Sequence, residues 1–240
     1  MPQPLPPSLT PPQAHWPLPL PLPGVRLVSC GFSPASLQAG DFAHCAITPP
    51  PSIERSVAKR QAEFLAGRVC ARAAVQAVAG VSWVAPIGED RAPVWPEGVT
   101  ASITHGGGWA ACVAARAEHW QGLGLDVENL LPAERARRLA GEILTPAELA
   151  RLPADDASAA LAITLTFSLK ESLFKALYPL VRQRFYFEHA ELLGWSADGQ
   201  AQLRLLTDLS ETWQNGSQLA GQFQLSEGRL LSLVAVAAAT

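Results

Sequence analysis

The chain has 240 residues and 48% hydrophobic composition, enough to bury a sizeable core in one domain or in two small ones. Eighteen Lys and Arg against 21 Asp and Glu leave a formal net charge of −3, so there is no global attraction to nucleic acid and any anion site must be local. The four cysteines, Cys30, Cys45, Cys70 and Cys112, form no C-x-x-C pair and read as reduced, partly buried thiols rather than a disulfide or metal framework.

The first 23 residues hold ten prolines and no Lys or Arg. A secretory signal needs a basic start and an unbroken apolar run, and no stretch here approaches the roughly 18 apolar residues of a membrane span. Residues 1–24 therefore read as an extended polyproline arm, lying on the body or mobile, on a cytoplasmic protein without stable membrane insertion. Val25–Phe32 reads as a first strand. Ile53–Ala79, rich in Ala and stopped by Gly80, is the longest helical candidate and carries Arg55, Lys59, Arg60, Arg68 and Arg72. Arg68 and Arg72 share a face, whereas Lys59 falls on the opposite face of a straight helix.

Gly88–Pro96 is a loop by its prolines. Ala101–Thr104 and Trp109–Ala115 read as strands around His105 and three glycines, followed by a third strand at Gly122–Glu128. The helical pattern of Pro132–Leu152 breaks at Thr145-Pro146, where a new helix starts with Thr145 as N-cap and Pro146 at its first position. Ser168–Leu177 reads as a short helix closed before Pro179, and strands follow at Gln202–Leu206, Leu219–Leu225 and Leu230–Ala237. Helix then strands, twice, predicts an α+β chain of two lobes, 25–130 and 131–240, each a small, mostly antiparallel sheet packed on a helix.

Three carboxylates dominate the chemistry. On a strand, Asp126 and Glu128 share one face and Leu125 and Val127 the other. Neighbouring carboxylates repel, and an oxygen-only set without His or Cys suits a hard ion such as Mg²⁺. The third carboxylate is Glu171, flanked by Lys170 and Lys175, and metal plus lysines is what a pyrophosphate needs. Each residue also has a plainer reading. Asp126 and Glu128 fit the wet face of an edge strand. Ser168 and Glu171 fit a capping box, and Lys175 an ordinary pair one turn after Glu171. His105 and its glycines fit a hairpin turn or an anion-binding concavity of backbone N–H groups. Glu148 fits a helix-start acid.

Taken together, the motifs resemble the 4′-phosphopantetheinyl transferases of the surfactin- and enterobactin-activating type. The likeness lies in Gly124-Leu125-Asp126-Val127-Glu128 and, at matching separation, Phe167 to Lys175. Leu65 to Arg68, Arg91 to Pro96 and Ser102 to His105 resemble the enterobactin branch upstream. The resemblance implies a pseudo-twofold fold with coenzyme A between the lobes, and a holo-[acyl-carrier-protein] synthase that moves phosphopantetheine to a serine of an acyl or peptidyl carrier protein, releasing 3′,5′-ADP. It implies Mg²⁺ at Asp126, Glu128 and Glu171, and coenzyme A as co-substrate. Coenzyme A contacts would come from Lys59, Arg60, Arg68, Arg91, Thr104, His105 and Lys175, besides Asp126 and Glu171. Glu148, or water at the metal, would take the serine proton. Thr104 stands where the family usually has Ser, and Lys59-Arg60 blurs the family's second lysine. The carriers would serve fatty acid or siderophore biosynthesis, and a monomer suffices. Arg135, Arg137, Arg138 and Arg182 to Phe187 are candidates for docking them. Two other readings use the same residues: a Mg²⁺-dependent pyrophosphohydrolase, and a non-catalytic coenzyme A- or carrier-binding module.

Overall fold

A computed structural model describes residues 5–238 of the chain. Strands β1 (Gln13–Ala14) and β2 (Arg26–Gly31) are followed by short helices α1 (Asp41–His44) and α2 (Pro51–Glu54) and the long helix α3 (Ala58–Ala79). Strands β3 (Val99–Gly106), β4 (Trp109–Arg116) and β5 (Trp120–Asn129) come next, then helices α4 (Ala133–Ile143), α5 (Pro146–Ala150) and α6 (Asp156–Val181). The chain ends in β6 (Ala190–Trp195), β7 (Gln200–Leu205), β8 (Gln218–Ser226) and β9 (Arg229–Ala237). These form an α+β molecule, as expected, and the chain divides into two compact units. Residues up to Trp16 with Leu22–His119 make the first; Pro17–Pro21 and the chain from Trp120 make the second. All of β5 thus belongs to the second unit, because it pairs with β9 along its length.

The first unit is a four-stranded antiparallel sheet in the order β1-β2-β4-β3, with α3 packed on β4, β3 and β2. The alanines of α3 let it lie close, and Gly80 ends it in the left-handed conformation with φ 72°. Gly67 sits where α3 touches β3: a Cβ there would be 2.9 Å from Ile103 Cγ2. Gly107 and Gly108, both at positive φ, form the two-residue β3–β4 hairpin turn. Cys30, Cys45, Cys70 and Cys112 are free and buried, as the sequence suggested.

The second unit is a five-stranded antiparallel sheet in the order β5-β9-β8-β7-β6. Helix α6 packs on β5 and β9 through Leu165, Leu169, Leu173 and Leu177, all fully buried. Two glycines of β5 permit that approach. A Cβ on Gly122 would lie 2.5 Å from the Ala176 carbonyl oxygen, and one on Gly124 would lie 1.8 Å from that of Ser172. Helix and strand therefore touch backbone to backbone where the motif begins.

Several expectations need correction. The expected short helix at Ser168–Leu177 is the second half of α6, which starts on the Asp155 N-cap and runs through Pro179 to Val181. Proline is tolerated there because only the last turn follows it. Ser168 and Glu171 are consequently mid-helix and form no capping box. The capping box belongs to Thr145 and Glu148, at the helix start expected from Thr145-Pro146. Strand β6 was not anticipated. Residues 1–4 of the proline-rich arm lie outside the described residues; the rest lies on the body. Thr10 N–H donates to the Gly31 carbonyl at 3.0 Å, Ser33 N–H to the Ser8 carbonyl at 2.9 Å, and Leu20 N–H and C=O bond the Gln222 amide at 2.9 and 3.0 Å. Among the described residues, no helix is long and apolar enough to cross a membrane.

Candidate active site

The contact at Gly124 sets the chemistry that follows it. On α6, Ser168, Glu171, Ser172 and Lys175 share the i, i+3, i+4, i+7 stripe that faces β5. Asp126 is only 4% exposed, so the wet-edge reading fails although β5 is the edge strand: α6 covers that face. Lys175 Nζ donates to Asp126 Oδ1 at 2.6 Å and to the Leu125 carbonyl at 3.1 Å, while Ser168 Oγ donates to Asp126 Oδ2 at 2.9 Å.

Glu128 and Glu171 complete a group of three carboxylates around one ammonium. Burial pushes the Glu128 carboxyl up to about 7, with the negative charges of Asp126 and Glu171 adding to it and Lys175 and Arg135 opposing. Burial likewise raises Glu171, against Lys175 and with Asp126. The donor set is oxygen-only and short of positive charge, which fits a hard divalent cation. It is not a preformed cage. Among the described residues no group of three or more His, Cys, Asp or Glu is arranged to hold a metal ion, and Asp126 Oδ1 is engaged by Lys175. Beside Glu171 a cavity of about 190 Å³ is lined by Phe174, Arg184, Phe185, Tyr186 and Phe187.

Lys170 and Glu148 lie apart from this group. Lys170 is 3% exposed and its ammonium bonds groups other than the three carboxylates. Its Nζ donates to Glu148 Oε2 at 2.7 Å and to the carbonyls of Ile143 and Phe187, each at 2.9 Å. Burial lowers its ammonium from the ordinary value and Glu148 opposes that, but three acceptors call for three N–H donors, which is the charged form. Glu148 Oε2 also accepts from Thr145 N–H at 2.7 Å, and Oε1 from Leu192 N–H at 2.6 Å. A carboxylate accepting three bonds through its two oxygens ties α5, α6 and β6 together. Lys170 is next to Glu171 in sequence and lines the same cavity, but its ammonium pairs with Glu148.

The first unit carries the remaining candidates. Arg60 Nη1 donates to His105 Nε2 at 3.0 Å. Lys59, Arg60 and His105 surround Glu63 at 4.0, 3.6 and 3.7 Å, so Arg60 rather than Lys59 joins His105. Arg72, expected beside Arg68, is spent on the Cys45 carbonyl at 2.6 Å. Arg68 differs. It is 7% exposed, its Nε has no hydrogen-bond partner, and its guanidinium lies 4.4 Å from the Phe64 ring centroid. Burial pushes it down to about 10, with Arg60 adding to the effect and Cys112 opposing, so it stays charged at neutral pH. Thr104 is buried on β3. Arg91 is exposed at φ 71° in a loop closed by Gly88 N–H to the Ala92 carbonyl.

Sequence reasoning missed the hydroxyls around Asp126. Ser168 passed for an N-cap, and Ser172 and Ser232 carry no motif; only the β5–β9 register, which sets Ser232 opposite Asp126, finds them.

A family model described as "4'-phosphopantetheinyl transferase N-terminal domain" matches residues 49–115, and one described as "4'-phosphopantetheinyl transferase superfamily" matches residues 122–232. The chain is similar to "Enterobactin synthase component D" of Escherichia coli (strain K12), 39% identical over 65% of this chain and 73% of that protein. It is also similar to "4'-phosphopantetheinyl transferase PptT" of Mycobacterium tuberculosis, 33% identical over 77% of this chain and 82% of that one. A third similarity is to "4'-phosphopantetheinyl transferase Svp" of Streptomyces mobaraensis, 35% identical over 78% and 76%.

Proposed function

The chain belongs to the 4′-phosphopantetheinyl transferase family, and from that premise we propose that it moves the phosphopantetheine arm of coenzyme A to a serine of an acyl or peptidyl carrier protein, with Mg²⁺ bound and 3′,5′-ADP leaving. The observation that carries this reading is the group of Asp126, Glu128, Glu171 and Lys175 assembled where α6 crosses β5 at Gly124. Relatives named for enterobactin synthesis favour siderophore-type carriers as substrates.

Asp126, Glu128 and Glu171 would hold Mg²⁺, which supplies charge neutralisation on a pyrophosphate when bound. Lys175 adds a second positive charge on the same group, and positioning with charge neutralisation is most of what phosphoryl-type transfer needs. The serine oxygen forms a bond to the pantetheine-side phosphorus. The anhydride bond breaks, 3′,5′-ADP departs with the electron pair, and the serine proton passes to solvent. Glu148, engaged through both oxygens, enters as a structural group and not as the base. The cavity beside Glu171 takes the pantetheine arm. Arg68, with Arg60 and His105, takes the 3′-phosphate region, which answers why the buried Arg68 Nε has no hydrogen-bond partner. Lys59, Arg91 and Thr104 are secondary contacts to the nucleotide.

For carrier docking, Arg137 drops out, because it is spent on Asp156 and the Ala154 carbonyl. Arg135, Arg138, Arg182 and Arg184 remain. The test is incubation with coenzyme A, Mg²⁺ and an apo carrier. A phosphopantetheine mass gain on the carrier serine is expected, with Glu171→Gln reduced to background and coenzyme A left uncleaved when the carrier is omitted. Wild-type transfer by Glu171→Gln, or cleavage without carrier, would overturn the reading.

A further inference from the structure

We propose that Ser168, supported by Ser232 and Ser172, is a positioning residue that fixes Asp126 for divalent-cation binding, an inference that rests on the transferase reading above. All three serines are fully buried. Ser168 Oγ lies 2.9 Å from Asp126 Oδ2 and 2.7 Å from Ser232 Oγ. Ser172 Oγ lies 2.8 Å from Ser232 Oγ and 3.1 Å from the Ser232 carbonyl oxygen.

Each hydroxyl has one proton, and that fixes the direction of every bond. An ionised carboxylate only accepts, so Ser168 donates to Asp126 and has no proton left for Ser232. Ser232 therefore donates to Ser168. Ser172 then donates to Ser232, its proton shared with the adjacent carbonyl. The result is a one-way chain, Ser172 to Ser232 to Ser168 to Asp126, with no donor or acceptor in conflict.

The fold builds this chain from two elements. Register places Ser232 of β9 directly opposite Asp126 of β5. Ser168 and Ser172 are one turn apart on the face of α6 that Gly124 allows against the strand. A mid-helix hydroxyl ordinarily bonds the carbonyl four residues back. Thr164 and Thr166 of the same helix do so, to Ala160 and Ala162, each at 2.8 Å. Ser168 and Ser172 turn instead to Asp126 and Ser232. With Oδ2 held by Ser168 and Oδ1 by Lys175, the carboxylate has one orientation before any cation arrives, and binding need not reorder it.

The experiment measures Mn²⁺ affinity of the full chain in the presence of coenzyme A by titration calorimetry, and the Mg²⁺ concentration for half-maximal transfer. Removing a group that orients a metal ligand typically costs about 10–100-fold in metal affinity. Ser168→Ala is expected to fall in that range on both readouts, with transfer recovering at saturating Mg²⁺ and the far-UV spectrum unchanged. Ser232→Ala, which leaves the Ser168–Asp126 bond in place, is expected to lose less. A merely structural role would lower thermal stability without moving either metal readout. Wild-type Mn²⁺ affinity in Ser168→Ala, while Glu171→Gln loses it, overturns the positioning role and leaves the transferase reading standing. If Ser168→Ala does not fold, Ser168→Cys, which keeps the size and weakens the donor, takes its place, and wild-type Mn²⁺ affinity there overturns the role equally. Wild-type affinity and transfer in Glu171→Gln would remove the reading itself.

Discussion

Both units lay one long helix across an antiparallel sheet, and both place a glycine at the closest approach. The neighbour differs. Gly67 faces the methyl of Ile103, which can move, whereas Gly124 faces the Ser172 backbone, which cannot. Their buried cations differ too. Lys170 of the second unit has three acceptors for three protons. Arg68 of the first, also buried, lies over the Phe64 ring with its Nε unbonded. A buried charge with every bond filled serves architecture, and one left unfilled points to a ligand. Adjacency to a catalytic motif does not separate the two cases; the state of pairing does.

That contrast can be broken at four points. The largest effect is expected from Lys170→Met, which strands the buried Glu148 carboxylate and should cost about 3–5 kcal/mol in urea unfolding. A cost below about 1 kcal/mol would show that the pair does not anchor α5 and β6. Next is Gly124→Ala, where a methyl driven into a backbone carbonyl should cost about 3 kcal/mol. Gly67→Ala should be close to neutral, because a small shift of Ile103 is offset by a helix-propensity gain of about 1 kcal/mol. Equal costs at the two glycines would erase the distinction between the crossings. Third, Arg68→Leu should leave stability within about 1 kcal/mol while removing about 1.5–3 kcal/mol of coenzyme A affinity by calorimetry. Large destabilisation with intact affinity would make Arg68 a structural residue.

The smallest effect concerns Glu191. Burial pushes its carboxyl up, but hydrogen bonds from Arg204 and Arg151 outweigh that and hold it below its ordinary 4.5. A depressed folded value gives stability that is present above 4.5 and lost as pH falls through the lower value. Glu191→Gln should therefore melt below wild type at neutral pH, the gap closing on acidification. A gap that does not narrow as the carboxyl is protonated would mean that shape, not charge, is what the two arginines recognise.

Much of this was legible in the residues, for identifiable reasons. Strand alternation located Asp126 and Glu128, and Thr145-Pro146 located a helix start, because both signals are local. The capping box was read at Ser168 and Glu171, but the same spacing occurs at Thr145 and Glu148, and only the upstream course of α6 decides between them. Burial of Asp126 was illegible because it depends on a glycine meeting a helix some 50 residues away. The pairing of Glu148 was illegible because its partners, Lys170 and Leu192 N–H, come from distant segments. Strand β6 escaped because Gly194 interrupts its alternation and its register with β7 shifts there.

The bracket between Leu20 and Gln222 joins residues 202 positions apart. The proline segment is synthesised long before its strand, β8, so the second unit can be completed only once the residues between them have been made. Over that interval Pro17, Pro19 and Pro21 offer no amide protons for a stray strand to capture, and their fixed φ keeps the segment extended for its eventual seat.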